Sequence, residues 1–402
     1  MEFKPFLISW NITKRCNLRC PHCYLDASGQ SEETRDELTT EEGFRLIDQI
    51  SELNSQIFLI LTGGEPLLRK DFIDLARHAS GKLRVLVGTN GVLLTDKNVK
   101  KMVECGVSGV GISMDSINPE NHDSFRGMDG AWDKAVRGIE ACKKYGLNFQ
   151  IQTTITNDNY EEIPDMIEYS HSAGAKAFTL FFLVCTGRGQ EFTDLSPVQY
   201  EKMLSYLAKA QDGYLDMMIR ARCAPYFMRI SYQKEPFSRL ASACYAGKQY
   251  CRITPTGDVT PCPYIPTAVG NVRSESFSDI WNNSNLFHQM RHSKVKGKCG
   301  ICEFNFVCGG CRARAFASTG DYMAEDPMCL YKPKLESKEV VKSKDSPLIW
   351  TKDAKERIEK VPFFVRDMVK KELENRAKEK GLDKITPELM ADMKKKWTER
   401  ER

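Results

Sequence analysis

The stretch RCNLRCPHCY, residues 15–24, holds Cys16, Cys20 and Cys23 in the spacing C-x3-C-x2-C. It follows FLISWNIT (6–13), an apolar run that predicts a first β-strand. Three thiolates on one short loop can hold three irons of a [4Fe–4S] cube and leave the fourth iron open to a small molecule. The alternative is a zinc site that His22 or a more distant residue completes.

Beyond this loop, short apolar runs alternate with amphipathic helical stretches throughout residues 1–215. Five further runs predict strands: 57–66, 83–91, 107–115, 148–156 and 177–184. These runs are apolar enough to be covered by helices on both faces, as parallel strands are. Six βα units predict an α/β fold, a partial (β/α)6 TIM-like barrel with its chemistry on loops at the carboxyl ends of the strands.

Composition excludes several classes of function. A net charge of +4 over 402 residues gives no particular affinity for nucleic acid. The longest apolar run, 177–185, is far shorter than the roughly 20 residues that cross a bilayer, and the N-terminus lacks a secretory pattern. We therefore expect a cytoplasmic protein with no membrane or nucleic-acid partner. In that compartment fifteen cysteines predict metal ligands rather than disulfides.

The pattern changes after residue 215. Residues 216–333 are predicted to form a cysteine-rich domain, 334–347 a charged linker, and 348–402 a small helical domain. Eight cysteines of the second domain are enough for two fully ligated cubes: Cys244, Cys251, Cys262, Cys299, Cys302, Cys308, Cys311 and Cys329. Paired C-x2-C spacings are also typical of zinc ribbons, so the residues alone leave zinc open.

The first cysteine loop after a first strand resembles that of the radical S-adenosylmethionine (SAM) family. In that family the open iron binds the amino and carboxylate groups of SAM, and cleavage of SAM gives a 5′-deoxyadenosyl radical that abstracts hydrogen from the substrate. TGGEP (62–66), GTNG (88–91) and ISMD (112–115) resemble the family's cofactor-lining segments. The resemblance implies that these residues bind the cofactor: Gly63, Gly64, Glu65, Pro66, Asn90 and Ser113. It implies that Asp115 contacts ribose or substrate, although Asn90 closing a turn and Asp115 capping a loop are equally open.

The later cysteines resemble the SPASM extension of radical SAM enzymes, which carries auxiliary [4Fe–4S] clusters. Its interleaved pairing implies one cluster on Cys244, Cys251, Cys262 and Cys311. The same pairing implies a second cluster on Cys299, Cys302, Cys308 and Cys329, where the spacing Cys308-x2-Cys311 departs from the usual x3. The implied cofactors are thus the radical SAM [4Fe–4S] cluster, SAM, and one or two auxiliary [4Fe–4S] clusters.

Three stretches, 177–189, 222–230 and 308–329, resemble the radical SAM subgroup that modifies tetrapyrroles. This subgroup includes the alternative haem synthase, which decarboxylates propionates of iron-coproporphyrin III, and the haem d1 maturases. Cys185 replaces a proline and Tyr226 a histidine of the subgroup, which leaves the substrate open. Residues 354–390 resemble the C-terminal domain of light-independent protochlorophyllide reductase, with a generic charged helical hairpin as the alternative.

Removal of a hydrogen atom from the β-carbon of a propionate, followed by loss of CO2, leaves one surplus electron before a vinyl group can form. An auxiliary cluster is a suitable acceptor for this electron and zinc is not. Anionic propionates need cationic partners, and Arg126, Arg188 and Arg222 are candidates for contacts with a substrate carboxylate or with SAM, with Arg188 first. A surface or structural role is equally open for each of them. We predict catalytic roles for Arg188, Cys223 and Asp115. The predicted partners are a tetrapyrrole or other small-molecule substrate and a flavodoxin- or ferredoxin-type electron donor.

Two other functions fit part of this pattern. Many SPASM proteins modify ribosomally made peptides, but they often carry an N-terminal peptide-recognition domain, and only fifteen residues precede Cys16 here. A non-catalytic iron–sulfur electron carrier would explain the cysteines. It would not need the barrel pattern with its GGEP and ISMD segments.

Overall fold

The computed structural model describes most of the chain. The described residues are 3–27, 29, 36–184, 186, 195–235, 244–334, 348–359, 366, 369–370, 373–374, 376–377, 382 and 384–391. The chain divides into two compact units, of which the first holds residues 1–234 and 240–333 and the second holds 235–239 and 334–402.

The first unit is built on one sheet in which seven parallel strands lie side by side in chain order. They are β1 (Leu7–Thr13), β2 (Phe58–Gly63), β3 (Arg84–Thr89), β4 (Gly109–Ser113), β5 (Phe149–Ile155), β6 (Ala177–Phe182) and β7 (Met218–Arg222). Three more strands extend the sheet beyond β1: β8 (Tyr250–Ile253), β9 (Asp258–Thr260) and β10 (Gly270–Asn271). β8 pairs parallel with β1, β9 pairs antiparallel with β8, and β10 pairs antiparallel with β9.

All six predicted strands are present, which confirms the α/β barrel-like fold. The sheet nevertheless continues past residue 215, because β7 pairs with β6 and β8 pairs with β1. The predicted division between residues 1–215 and 216–333 is therefore not a break in the sheet.

Twelve helices of the first unit connect or flank these strands in the described residues. They are α1 (Thr40–Leu53), α2 (Phe72–Ser80), α3 (Asp96–Glu104), α4 (Pro119–Arg126), α5 (Ala131–Tyr145), α6 (Ile163–Ser172), α7 (Pro197–Ala210), α8 (Tyr226–Lys234), α9 (Phe277–Asn283), α10 (Asn285–His292), α11 (Gly297–Ile301) and α12 (Arg312–Thr319). Thr39 begins α1 with a capping box, in which its hydroxyl accepts from the amide of Glu42 and the Glu42 carboxylate accepts from the amide of Thr39. Among the described residues, no helix is both long and apolar enough to cross a membrane.

The two faces of the sheet differ because side chains alternate along each strand. In β1, Ile8, Trp10 and Ile12 are fully buried in the large apolar core of the first unit. Ser9 and Asn11 point to the opposite face, which we call the interior face, and the Ser9 hydroxyl lies 2.6 Å from the Tyr250 hydroxyl across the β1–β8 pair. Loops at the carboxyl ends of the strands border this interior face.

The second unit has a small core of its own, formed by Ala354, Ile358, Val369, Leu373, Ala377, Ile385 and Leu389. It contains β11 (Ile349–Trp350), β12 (Lys384–Ile385), which pairs parallel with β11, and α13 (Lys352–Glu359). Leu389, Met393 and Trp397 recur every four residues in the sequence, a spacing that predicts one apolar stripe on a helix. The side chain of Leu389 is buried, whereas Met393 and Trp397 lie outside the described residues. Most of the predicted linker, 335–347, also lies outside them.

Candidate active site

The loop with Cys16, Cys20 and Cys23 is attached directly to the segment that follows β2. The amide of Gly64 donates to the carbonyl of Thr13 at 2.8 Å, and the amide of Glu65 donates to the carbonyl of Arg15 at 2.8 Å. A Cβ at position 64 would lie 2.1 Å from the Arg15 carbonyl oxygen, and Gly63 has a φ of 135°. Both glycines are therefore needed for the close approach of these two loops.

Glu65 links the ends of β2 and β3 through hydrogen bonds. Its fully buried carboxylate accepts from the hydroxyl of Thr89 at 2.9 and 3.0 Å, the amide of Asn90 at 2.9 Å and the amide of Leu67 at 3.2 Å. Burial raises the pKa of Glu65 to about 7, and these donors oppose the rise. The carboxylate is thus occupied within the chain, and a cofactor contact of Glu65 or of Pro66, which follows it at the start of a short 3-10 turn, stays a prediction.

Asn90 links this segment to the cysteine loop. Its Nδ2 donates to Asn17 Oδ1 at 2.9 Å and lies 3.8 Å from Cys16 Sγ. Burial raises the pKa of the Cys16 thiol to about 12, and it also raises the pKa of Cys20. Because iron ligation requires thiolates, binding a cluster here must release protons from buried thiols.

Asp115 and Arg126 form a buried ion pair beside Cys20. Asp115 Oδ1 also accepts from the amide of Thr154 at 2.8 Å, and Arg126 Nη1 lies 3.8 Å from Cys20 Sγ. Burial alone would lower the pKa of Arg126, but Asp115 and Cys20 raise it above its ordinary value. Ser113, the last residue of β4, lies in register with Gln152 of β5 on the interior face. The predicted residues of the first four βα units therefore converge on one region.

Four of the later cysteines surround one cavity. Cys299, Cys302, Cys308 and Cys329 line it together with Tyr226. The amide of Asp326 donates to Cys299 Sγ at 3.4 Å, and the amide of Gly310 to Cys308 Sγ at 3.5 Å. Four thiols around one cavity with backbone donors to sulfur fit a cluster of four irons.

A second group of thiols lies in a separate apolar cluster that contains Cys262 and Cys311, with Cys223 and Cys244 packed against it. These four thiols are electrostatic neighbours, since Cys223, Cys244 and Cys311 each raise the pKa of Cys262 after the larger effect of burial. Burial likewise raises the pKa of Cys223 to about 11. Cys223 has a φ of 61°, which is uncommon for a residue other than glycine and places a backbone kink directly after β7.

Cys251, which the resemblance implies as a ligand of the same cluster, does not lie with these thiols in the structure. In β8 it is paired with Ile8 and is fully buried in the sheet's main apolar core, while its neighbours Tyr250 and Arg252 point to the other face. After burial, the influence on its thiol pKa comes from Arg291 and from no cysteine of the described residues. The structure therefore brings Cys223, which sequence reasoning assigned to catalysis, to the position expected for Cys251.

Two buried residues that sequence reasoning missed connect the two thiol groups. Asp326 accepts from the amide of Cys311 at 2.8 Å, and its own amide donates to Cys299 Sγ. Arg314 lies 3.6 Å from Asp326 and donates to the carbonyl of Cys223 at 3.0 Å. The dense motif CGGCRARAFASTGDYMAEDPMC (308–329) was the only sequence signal for either residue.

Arg188, predicted to be catalytic, and Cys185 lie outside the described residues. Tyr226, which stands where the tetrapyrrole-modifying subgroup has a histidine, begins α8 and is fully buried. Among the described residues, no three His, Cys, Asp or Glu side chains converge on a point where a single metal ion could be held.

Comparison with known proteins identifies the family of the chain and the domains in which these residues lie. Residues 10–170 match the radical SAM superfamily, residues 244–309 the SPASM iron–sulfur cluster-binding domain, and residues 350–394 the proto-chlorophyllide reductase 57 kD subunit. The chain is 41% identical to the AdoMet-dependent heme synthase of Methanosarcina barkeri over 83% of this chain and 98% of that protein. It is 32% identical to the pre-heme d1 synthase of Dinoroseobacter shibae over 81% of this chain and 86% of that protein.

The fold has solved counterparts. SuiB of Streptococcus suis bound to S-adenosylmethionine superimposes with a TM-score of 0.68 over 82% of this chain and 78% of that one, at 16% identity. At that identity the likeness concerns the fold alone. The family is instead identified by the sequence matches. By these the chain is an enzyme that uses [4Fe–4S] clusters and SAM, and it belongs to the radical SAM superfamily, in the SPASM-containing subgroup that modifies tetrapyrroles.

Proposed function

We propose that this enzyme oxidatively decarboxylates propionate side chains of iron-coproporphyrin III to vinyl groups in haem biosynthesis. The observation that carries the proposal is the 41% identity to a heme synthase over 98% of that relative's length. When bound, the clusters and SAM supply a radical that takes a hydrogen atom from the propionate and an acceptor for the electron left when CO2 departs.

The residues of the first cysteine loop would hold the SAM-cleaving cluster. Cys16, Cys20 and Cys23 provide three thiolates, and Gly63 and Gly64 bring the backbone after β2 against this loop. The Arg126 guanidinium, fixed by Asp115, holds positive charge beside Cys20 and favours its thiolate. Asp115 therefore acts as a positioning residue for Arg126. Ser113, on the interior face, remains the candidate for binding a ribose hydroxyl of SAM.

The two thiol groups of the later cysteines would hold the auxiliary clusters. Cys223, Cys244, Cys262 and Cys311 form one ligand set, and Cys299, Cys302, Cys308 and Cys329 form the other. Asp326 and Arg314 fix the backbone of the first set at Cys311 and Cys223, and the amide of Asp326 donates to the sulfur of Cys299 in the second set. A flavodoxin- or ferredoxin-type protein is the proposed donor of the electron that starts each turnover.

The test is product analysis with anaerobically reconstituted enzyme, SAM, a reductant and iron-coproporphyrin III. We expect 5′-deoxyadenosine together with a porphyrin that has lost CO2 and two hydrogens for each propionate converted. The Cys20→Ala variant, which lacks one ligand of the first cluster, should give neither product. Formation of 5′-deoxyadenosine with an unchanged porphyrin would reject this substrate, and the absence of any change in the Soret band on mixing would favour a peptide or another substrate.

A further inference from the structure

β7 places two arginines on the interior face of the barrel. Ile219 and Ala221 are buried against the helices, so Arg220 and Arg222 point to the other side, where both are partly buried. Arg220 lies in register with Thr179 of β6, which is in register with Gln152 of β5 and, through it, with Ser113 of β4. Arg222 lies in register with Phe181 in the next row toward the carboxyl ends of the strands.

The charged residues in the strands of the barrel are all positive. Strands β1 to β8 contain four arginines and no aspartate or glutamate. Of these arginines, Arg84 begins β3 at the opposite end of the barrel, where it is exposed and lies over the Phe58 ring. Arg252 is used within the chain, since it donates to the hydroxyl of Thr260 at 3.1 Å and to the carbonyl of Pro263 at 3.2 Å.

Arg220 and Arg222 differ from the other two. In the described part of the chain, neither forms an ion pair with a carboxylate, and the contact found for the Arg220 guanidinium is Met218 Sδ at 3.2 Å. Burial and the neighbouring positive charge of Arg222 lower the pKa of Arg220 to about 10, so that Arg220 remains charged near neutral pH. Two partly buried like charges side by side are unfavourable unless an anion compensates them.

We infer that Arg220 and Arg222 bind carboxylate groups of the substrate on the interior face of the barrel. This inference rests on the proposed function and specifies which cations of the chain recognise the propionates. Residues two apart on one strand are separated by about 7 Å, enough for each guanidinium to take a separate carboxylate or for both to share one.

The position across the sheet argues that the anion belongs to the substrate and not to SAM. The cysteine loop follows β1, whereas β7 is the sixth strand beyond it in the sheet order. Ser113 is three strands from Arg220, which corresponds to about 14 Å along the sheet. A flat ligand of about that size could therefore contact the arginines at one edge and present another edge to the cofactor region. Gln152 and Thr179 provide polar groups along the row between them.

The experiment measures equilibrium binding of iron-coproporphyrin III and of its tetramethyl ester to the reconstituted enzyme, from the change in the Soret band. The wild type should bind the tetra-acid at least tenfold more tightly than the ester. Arg220→Met and Arg222→Met should each weaken binding of the tetra-acid by about tenfold. Neither should change ester binding by more than about twofold. The double variant with Arg220→Lys and Arg222→Lys should bind the tetra-acid more tightly than the double variant with Arg220→Met and Arg222→Met.

The control is Arg84→Met, which removes an arginine of the same sheet at its other end and should bind the tetra-acid like the wild type. Iron content and the thermal midpoint of each variant identify one that has failed to fold, and the comparison of acid with ester in the wild type needs no variant. If the wild type binds iron-coproporphyrin III and the double variant with Arg220→Met and Arg222→Met binds it equally tightly, this inference is overturned while the proposed function stands. If the wild type binds no iron-coproporphyrin III, the proposed function fails, and this inference fails with it.

Discussion

At the residue scale, Cys223 and Cys251 should respond in opposite ways to substitution. Cys223 lies with Cys244, Cys262 and Cys311, whereas Cys251 lies on the apolar face of β8 beside Ile8. We expect Cys223→Ala to reduce the iron bound after anaerobic reconstitution by up to about four per chain, because one auxiliary cluster loses a ligand. Cys251→Ala should keep the full iron content and lose only packing stability. Iron and sulfide analysis with electron paramagnetic resonance tests this, and a loss of iron in Cys251→Ala alone would contradict it.

Gly64 is the residue at which the close approach of two loops is most sensitive to a side chain. An alanine Cβ would lie 2.1 Å from the Arg15 carbonyl oxygen and 2.6 Å from its carbon, and backbone atoms cannot move aside cheaply. We expect Gly64→Ala to destabilise the protein by about 3 kcal/mol or more and to abolish SAM binding. The matched control is Gly81→Ala at the end of α2, where the nearest atom is 3.7 Å away. Thermal midpoints and equilibrium dialysis with SAM measure both effects; normal SAM binding by Gly64→Ala would contradict the role assigned to this contact.

His122 gives the protein a predictable dependence on pH. It is buried, and its Nδ1 accepts from the amide of Asp115 at 3.2 Å. Burial lowers its pKa to about 4, with Asp115 and Asp123 opposing and Arg126 adding to the effect. Because the unfolded chain takes up the proton near pH 6.5 and the folded chain does not, this histidine's contribution is complete above pH 6.5. It is lost as the pH falls toward 4, by up to about 3 kcal/mol.

The measurement for His122 is the thermal midpoint between pH 4.5 and 8. His122→Asn retains an acceptor for the Asp115 amide but cannot be protonated. The midpoint of the wild type should fall more steeply below pH 6.5 than that of the variant. Parallel pH profiles would show that His122 does not bear this dependence.

At the element scale, the six strands and the helices between them could be predicted from the sequence because each carries a clear apolar pattern. β7 was missed for the opposite reason. Its sequence, MIRAR, alternates two arginines with apolar residues, so it lacks the doubly apolar character of the other strands. That difference arises because β7 presents charge to the interior face.

The position of Cys251 shows a second limit at this scale. Spacing between cysteines does not reveal which face of a strand each occupies. Only the register of β8 against β1, with Cys251 opposite Ile8, places this thiol in the apolar core. The positive φ of Cys223 was equally invisible in the sequence.

The Asp115–Arg126 pair joins the segment after β4 to the end of α4. Removing Arg126 alone would leave the Asp115 carboxylate buried and unpaired, so we expect Arg126→Met to destabilise the protein by about 3–5 kcal/mol. Asp115→Asn combined with Arg126→Met should cost less than the sum of the two single changes, because the uncompensated charge is absent. Thermal or denaturant unfolding of the four proteins of this cycle measures the coupling, and strictly additive losses would contradict it.

At the scale of the whole molecule, the cysteines made the first cluster, the barrel and the SPASM-type extension predictable. The three cysteines after β1 lie on one loop, and eight of the remaining thiols lie in two groups of four, one with Cys223 and the other around the cavity lined by Cys299. The substrate was the least predictable part, because its recognition depends on side chains such as Arg220 that the fold brings to the interior face. The tail was recognisable as a unit by its composition, and it does have a core of its own.

The most direct test of the central claim follows one hydrogen atom. The reconstituted enzyme would be given SAM, a reductant and iron-coproporphyrin III deuterated at the β-carbons of its propionates. We expect deuterium to appear in 5′-deoxyadenosine, in proportion to the CO2 released and the vinyl groups formed, as measured by mass spectrometry. Unlabelled 5′-deoxyadenosine, or label transfer without loss of CO2, would contradict the claim that this enzyme decarboxylates a tetrapyrrole propionate by hydrogen abstraction.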